Sequence, residues 1–265
     1  MKKFTLIFFV FLLTGCADNS FTLDLSNVTT GETPTVTPAI KYENWTKVQS
    51  GVEFKQMLIG TGATTELVDI VKIDQTQAKL NLTLDETAPQ TVSTWAKSLN
   101  ASVIVNGSYF DEQYNVITRT IVDDKAEGKI LSGPTGLAEY SVADGWTINA
   151  WAGENFTAST ALQSYPLLLN DGNIFSGGST DTAQRSVLAQ AEDGTLYIII
   201  AEYGVWSLQD LAQALNSEIE PNLRYALNLD GGTSTGLFVS GADVTFLDDS
   251  LPVPSVLYIL PPNTL

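Results

Sequence analysis

Histidine is absent from all 265 residues of this chain. Every mechanism that needs an imidazole goes with it: Ser-His-Asp and Cys-His machinery, His-ligated zinc, and histidine acid–base catalysis. Cysteine occurs once, as Cys16, so the fold has no internal disulfide and must rest on its core. Positive charge is scarce as well. Thirteen Lys and Arg stand against 30 Asp and Glu, for a net charge of −17, and only Arg119, Arg185 and Arg224 are arginines. Such a chain is excluded as a non-specific binder of nucleic acid, and an anionic ligand would need a local positive focus. No EF-hand spacing (D-x-D-x-D-G) occurs, so neither a metal nor a cofactor is expected. What remains for chemistry is carboxylates, tyrosine, lysine, arginine, hydroxyls, amides and the backbone. The acidity does not imply disorder, because 44% of residues are hydrophobic and only 16% charged.

The N-terminus has the layout of an export signal. Lys2 and Lys3 precede a run from Phe4 to Leu13 that is apolar except for Thr5. That run is too short to span a bilayer as a mature helix. Leu13-Thr14-Gly15-Cys16 is similar to the lipobox of bacterial lipoproteins, which implies cleavage before Cys16 and lipidation of that residue. An ordinary secretory signal is the alternative. Several acyl chains, at about 0.8 kcal/mol per buried CH₂, would anchor the protein stably to the cell envelope. Ala17 and Asp18 do not reproduce the inner-membrane retention signal, which points to the outer membrane if the host has one. Loss of Lys2 and Lys3 would leave 11 basic residues against 30 acidic and move the charge to about −19. We therefore expect a signal peptide over 1–15, a lipidated Cys16 with a Thr/Ser/Pro-rich tether over 16–40, and one domain over 41–265. A coil of that length would hold the domain roughly 25–30 Å from the lipid.

Within the domain, strand-like segments predominate. Leu67–Ile73 and Lys79–Leu84 read as strands joined by a turn at Asp74–Ala78. Ser102–Val105, Val116–Val122, Trp146–Trp151, Tyr165–Leu169, Arg185–Ala189, Arg224–Leu229, Gly236–Val239, Val244–Leu247 and Val256–Leu260 are further candidates. Thr195–Ala201 is apolar nearly throughout, so it should be a central strand covered on both faces. Two helices interrupt them. Thr91–Asn100 spaces Val92, Trp95, Ala96 and Leu99 on one face. The second follows Ser207 as N-cap, with Asp210 three residues on as a capping box and Leu208, Leu211, Ala212 and Leu215 as its apolar face. The combination predicts an α+β fold with a mixed sheet or two packed sheets.

Three segments place polar or glycine residues at the end of an apolar strand. They are Val103–Asp111 (with Asn106-Gly107-Ser108-Tyr109), Gln184-Arg185-Ser186, and Ala226–Thr235 (with Asn228-Leu229-Asp230-Gly231-Gly232). Glycine pairs let consecutive N–H groups approach an anion. Each segment alone also suits an ordinary turn, and the Asp230 carboxylate alone suits an Asx-turn on its own backbone. Together, and in this order, they resemble the phosphodiester glycosidase domain family, over roughly Trp45 to Leu260. Ala226–Ser234 is close to that family's A-L-N-L-D-G-G-G-S-S, and Asn106–Phe110 to its N-G-G-Y-F. The Tyr165–Gly172 segment and both helices fit as well. Thr233 and Ser108 stand where the family has glycine, Gln184-Arg185-Ser186 replaces P-R-T, and Ala201-Glu202 replaces Asp-Gly.

The resemblance implies hydrolysis of the C1–O bond in a sugar-1-phosphodiester of an envelope or extracellular glycan. A phosphodiester leaving group is a weak base and needs little protonation, so a site without histidine suffices. The catalytic residues implied are Asp230 at the anomeric carbon, Arg185 on the phosphate and Asn106 orienting substrate oxygens. Binding roles are implied for Tyr109, for the N–H groups of Gly231 and Gly232 and for Ser234, with Asp111, Asn228 and Glu202 as secondary candidates. The competing reading is a glycan-binding lipoprotein that keeps the pocket without turnover.

Overall fold

The computed structural model describes residues 40–262, apart from residues 134, 154, 155, 179 and 221. The expected signal peptide, Cys16 and the tether up to residue 39 lie outside the described residues; a compact unit begins at Ile40. Among the described residues the chain forms eighteen strands and two α-helices. The first half contains β1 (Thr46–Gln49), β2 (Val52–Ile59), β3 (Glu66–Ile73), β4 (Leu80–Leu84), α1 (Val92–Leu99), β5 (Val103–Asn106), β6 (Thr120–Val122), β7 (Lys125–Glu127), β8 (Gly136–Ser141) and β9 (Gly145–Ala150). The second half adds β10 (Thr160–Ser164), β11 (Leu167–Asn170), β12 (Asn173–Ile174), β13 (Arg185–Ala191), β14 (Leu196–Ala201), α2 (Leu208–Ala214), β15 (Leu223–Asn228), β16 (Leu237–Ser240), β17 (Thr245–Asp248) and β18 (Ser255–Ile259).

The strands form one eight-stranded sheet, in the order β1-β2-β3-β14-β13-β15-β11-β12, and two five-stranded sheets, β7-β6-β10-β8-β9 and β17-β16-β5-β18-β4. Every ladder between these strands is antiparallel. The protein is therefore mostly β, and the α+β expectation with a mixed sheet is overturned. The misreading has a physical cause. A strand reads as continuously apolar whenever both its faces are covered, whatever the direction of its neighbours. In β14, Leu196, Ile198 and Ile200 enter a core shared by all three sheets, with Phe54, Leu188, Trp146, Leu162, Val105 and Leu257. The alternate residues Tyr197, Ile199 and Ala201 face α2, against Leu211, Ala212 and Leu215. A helix on one side and sheets on the other bury the strand as fully as two helix layers would. At about 2–5 kcal/mol for truncation of a buried Leu or Ile, Ile198 and Leu227 are sites where one change would damage this core.

The two strands expected over residues 67–84, and the turn between them, are present, but they do not pair with each other. β3 lies in the eight-stranded sheet and β4 in a five-stranded one, so the turn at Asp74 carries the chain between sheets. Of Val116–Val122, only β6 is a strand; Val116 and Thr118 make isolated bridges.

Both helices end where their caps dictate. Thr91 Oγ1 accepts from the Thr94 N–H, and Asn100 closes α1 in the left-handed region at φ 51°. Val92, Trp95 and Ala96 pack on Ile104 and Val256, covering the outer face of the β5 sheet. Ser207 and Asp210 form a reciprocal capping box at α2, Ser207 N–H to Asp210 Oδ2 at 3.0 Å and Asp210 N–H to Ser207 Oγ at 3.2 Å.

Candidate functional site

Antiparallel pairing brings the end of β15 beside the start of β13, with Val187 opposite Asn228. The end of β14 lies there too, Ala201 opposite Arg185. The end of β5 reaches the same place from another sheet. Asn106 Nδ2 donates to the Asp230 carbonyl at 2.7 Å, while its Oδ1 accepts from Ser186 Oγ at 2.6 Å and from the Gly236 N–H at 3.3 Å. Asp230 N–H donates to the Gly107 carbonyl, and Leu229 N–H to that of Ser186. The three segments singled out in the sequence thus form one junction. Asn106 is its pin: it is 1% exposed, and its amide is committed to β13 and to both ends of the connection between β15 and β16. Both ends of its amide are thus held by protein partners.

The turn after β15 follows from its glycines. A Cβ at Gly231 would lie 2.8 Å from the Gln184 carbonyl oxygen, and Gly232 adopts φ +63°. Both features exclude larger residues at little strain. The two N–H groups expected to cradle an anion are occupied, however. Gly231 N–H donates to Asp230 Oδ1 at 2.9 Å, and Gly232 N–H to the Gln184 carbonyl at 2.8 Å. Asp230 itself sits half-buried. Burial raises its pKa, and a hydrogen bond from Ser234 together with the Gly231 N–H pulls it back.

Arg185 is the cation of this junction. Its Cδ would be 3.6 Å from a Cβ at Gly231. Nη2 donates to the Asp181 carbonyl at 3.1 Å, while Nε is buried with no hydrogen-bond partner among the described residues. Arg224, by contrast, is ion-paired with Asp171. Tyr109 completes the group. Its hydroxyl donates to the Tyr165 carbonyl at 3.0 Å and accepts from Asn228 Nδ2 at 2.6 Å. Burial raises the Tyr109 pKa, the Asp230 charge raises it further, and Arg185 opposes the shift. Asn228 is fully buried. Its Nδ2 also donates to the Tyr165 and Leu229 carbonyls, and its Oδ1 has no partner among the described residues.

Two secondary candidates fall elsewhere. The Asp111 carboxylate accepts from the Gln113 and Asn115 N–H groups and from the Asn115 amide, closing its own loop. Glu202 joins a second acidic cluster. Its pKa rises to about 7 through burial and then through Asp248 and Glu66. Asp69 is buried deeper still in that cluster, held by Gln56 Nε2 at 2.8 Å and raised by burial and by Glu202. Glu202 therefore lies among acids, apart from the junction that holds Asp230 and Arg185. The opposite end of the same strands holds a depression of about 450 Å³ lined by Lys47, Glu53, Lys72, Asp74 and Asp193 and by none of the site residues.

Sequence reasoning assigned no role of their own to Ser186, Tyr165, Asp69 and Asp248, the first two of which lay within segments it had singled out. A carboxylate in the middle of an apolar strand, Leu67-Val-Asp69-Ile-Val71, was the available signal for Asp69. Tyr165 enters through its backbone carbonyl, for which side-chain chemistry gives no cue.

A family model described as phosphodiester glycosidase matches residues 99–260. No curated protein matches the chain. Among solved structures, the catalytic domain of zebrafish N-acetylglucosamine-1-phosphodiester alpha-N-acetylglucosaminidase, auto-inhibited by its pro-peptide, aligns with TM-score 0.64 at 15% identity, over 84% of this chain and 87% of that one. A hypothetical protein from Synechocystis aligns with TM-score 0.61 at 14% identity, over 84% of this chain but only 64% of its own length. A putative exported protein from Burkholderia pseudomallei K96243 gives TM-score 0.52 at 14% identity, over 74% of each chain. At these identities the structural likeness establishes a shared fold.

Proposed function

The chain belongs to the phosphodiester glycosidase family, and from that membership we propose that it hydrolyses the C1–O bond of a sugar-1-phosphodiester. The observation that carries this reading is the junction itself. A half-buried carboxylate, Asp230, and the Arg185 side chain, which packs beside Gly231, both act on Tyr109, and the guanidinium keeps a buried Nε–H unspent. A partly buried guanidinium with a free donor suits a phosphate, because its planar fork matches two oxygens at once.

In this mechanism Arg185 holds the phosphate and offsets the charge that grows on it as the bond to C1 breaks. Asp230 acts at the anomeric carbon as nucleophile or as base toward water. Ser234 and the Gly231 N–H keep Asp230 ionised against the cost of its burial. Water is consumed, the sugar leaves with a hydroxyl at C1, and the phosphate leaves as a monoester. No strong general acid is required, because a phosphomonoester departs without being protonated.

The family assignment and the N-terminal pattern together extend the proposal. Lipidation at Cys16 would hold the enzyme on the cell envelope, where surface or extracellular glycans are the substrate pool. Loss of radiolabelled fatty-acid incorporation in Cys16→Ser would support the anchor; full incorporation would exclude it.

Turnover is tested with the purified protein and a series of chromogenic sugar-1-phosphodiesters. N-acetylglucosamine heads the series because the zebrafish neighbour is named for it. We expect release of phosphomonoester with at least one sugar, and its loss in Arg185→Glu. Wild-type protein that binds members of the series and turns over none would overturn the hydrolase reading in favour of a binding protein.

A further inference from the structure

Tyr109, the aromatic residue expected to line the sugar pocket, has its hydroxyl tied between Asn228 and the Tyr165 carbonyl. The residue that supplies that carbonyl is the more available one. Tyr165 is 39% exposed, whereas its neighbours Ser164 and Pro166 are buried. An exposed aromatic alone means little, since much of any protein surface is apolar. Three further observations distinguish this one. Its backbone is clamped to the site by two side chains, Tyr109 Oη at 3.0 Å and Asn228 Nδ2 at 3.1 Å. Its ring stands edge-on to Phe175, centroids 6.4 Å apart at 85°, and Phe175 is half-buried against the core beneath α2. Gly178 passes over Phe175, where a Cβ would come within 3.3 Å of its ring, and the segment from Phe175 leads directly to Arg185. The Tyr165 phenol also lies near enough to Tyr109 to add to the rise in its pKa, alongside Asp230.

Resting on the hydrolase reading above, we propose that Tyr165, braced by Phe175, is the aromatic platform against which the sugar ring of the substrate packs while Arg185 holds its phosphate. The chemistry suits the place. A pyranose presents a face of C–H groups to an aromatic ring, and the tyrosine keeps its hydroxyl in water. A rigid ring fixed by its backbone and by a second ring orders the sugar at little entropic cost, which places C1 toward Asp230. The guanidinium supplies charge recognition and Tyr165 supplies recognition of the sugar, so the two ends of the substrate are read by separate residues.

The test separates those ends. With the best sugar-1-phosphodiester of the series, Tyr165→Ala should raise KM about tenfold and leave kcat within about twofold, as expected for lost uniform binding. Tyr165→Phe should retain wild-type KM. Calorimetric titration of the same proteins with the free sugar and with inorganic phosphate gives a readout that does not need turnover. Tyr165→Ala should weaken the sugar about tenfold and leave phosphate unchanged, while Arg185→Gln should do the reverse. Equal weakening of both ligands in Tyr165→Ala would mean that the residue only supports the fold, and would overturn the platform. So would a Tyr165→Phe protein as defective as the alanine variant, or a wild type that binds no sugar. A wild type that binds sugar through Tyr165 but turns over nothing overturns the hydrolase reading and leaves the platform standing.

Discussion

Asp230 and Glu202 follow β15 and β14 at the same end of one sheet, with β13 between those strands, and both are acids partly withdrawn from water. Their surroundings are opposite. Around Asp230 the groups that matter are a serine hydroxyl and a backbone N–H, both of which favour the anion. Around Glu202 they are Asp248, Glu66 and Asp69, all of which oppose it. Burial is common to both and raises both. The neighbours decide whether the result is a carboxylate poised to react or a carboxyl group that holds its proton. A strand-end acid is therefore a candidate for chemistry only when donors face it.

The comparison predicts its largest effect in turnover. Asp230→Asn should lower kcat by about 10³-fold, whereas Glu202→Gln should stay within about threefold of wild type on the same substrate. Equal losses in the two variants would break the distinction. The pH profile sharpens it. Because burial raises the pKa of Asp230 and the base must be ionised, kcat/KM should fall with acidification at a pH above the ordinary aspartate range. Ser234→Ala removes an opposing hydrogen bond, so the acid limb should move up by about one pH unit. An unmoved limb would detach that titration from Asp230.

Stability should respond in the other region and in the other direction. The folded-state pKa values of Glu202, about 7, and Asp248, about 6, lie above those of the unfolded chain. A raised acid contributes stability that is complete below its unfolded pKa and is lost as pH rises through the folded value. The free energy of unfolding from denaturant titrations should therefore fall between about pH 4 and pH 7, by an amount on the order of 2 kcal/mol. Glu202→Gln should flatten that slope and exceed wild-type stability at the alkaline end. A slope of the opposite sign, or one that Glu202→Gln leaves intact, would show that these carboxyls do not carry it.

Much of this was legible in sequence, and the parts that were not have one cause in common. Apolar spacing and caps are local, so Val92, Trp95, Ala96 and Leu99 in one helix and Ser207 with Asp210 in the other located both to within a residue or two. The strand-end motifs were legible because Gly231 and Gly232 meet local steric demands. Which strands pair is a long-range matter. Nothing near Asp74 says that the chain changes sheets there, and β2, an alternating strand that Phe54 and Val52 bury on one face, was passed over. The same blindness affected side-chain roles. Asn106 looked like a substrate ligand because its motif is polar, yet its partners Asp230, Ser186 and Gly236 are all 80 or more positions away. The acids around Glu202 gave no local sign either, because Asp69 and Asp248 come from distant strands.

The smallest expected effect concerns an acid that belongs to neither region. Asp111 lies two residues after Tyr109, so a role in binding would show as a raised KM in Asp111→Asn. Its carboxylate is instead held low in pKa by the Asn115 side chain and by the Asn115 and Gln113 N–H groups, within a loop five residues long. An asparagine at that position retains an oxygen that can accept from both N–H groups, so the loop should persist. Asp111→Asn should accordingly leave kcat and KM within about twofold of wild type, at the scale of a surface substitution. Asp111→Pro, which removes the acceptor and also the N–H that donates to the Asn115 carbonyl at 2.9 Å, should loosen the loop. Because Tyr109 is fixed from its far side by Asn228 and Tyr165, even this change should alter turnover much less than Asp230→Asn does. A conservative Asp111→Asn that abolished activity would mean that this carboxylate reaches the substrate, and the division between acids faced by donors and acids faced by acids would need a third class.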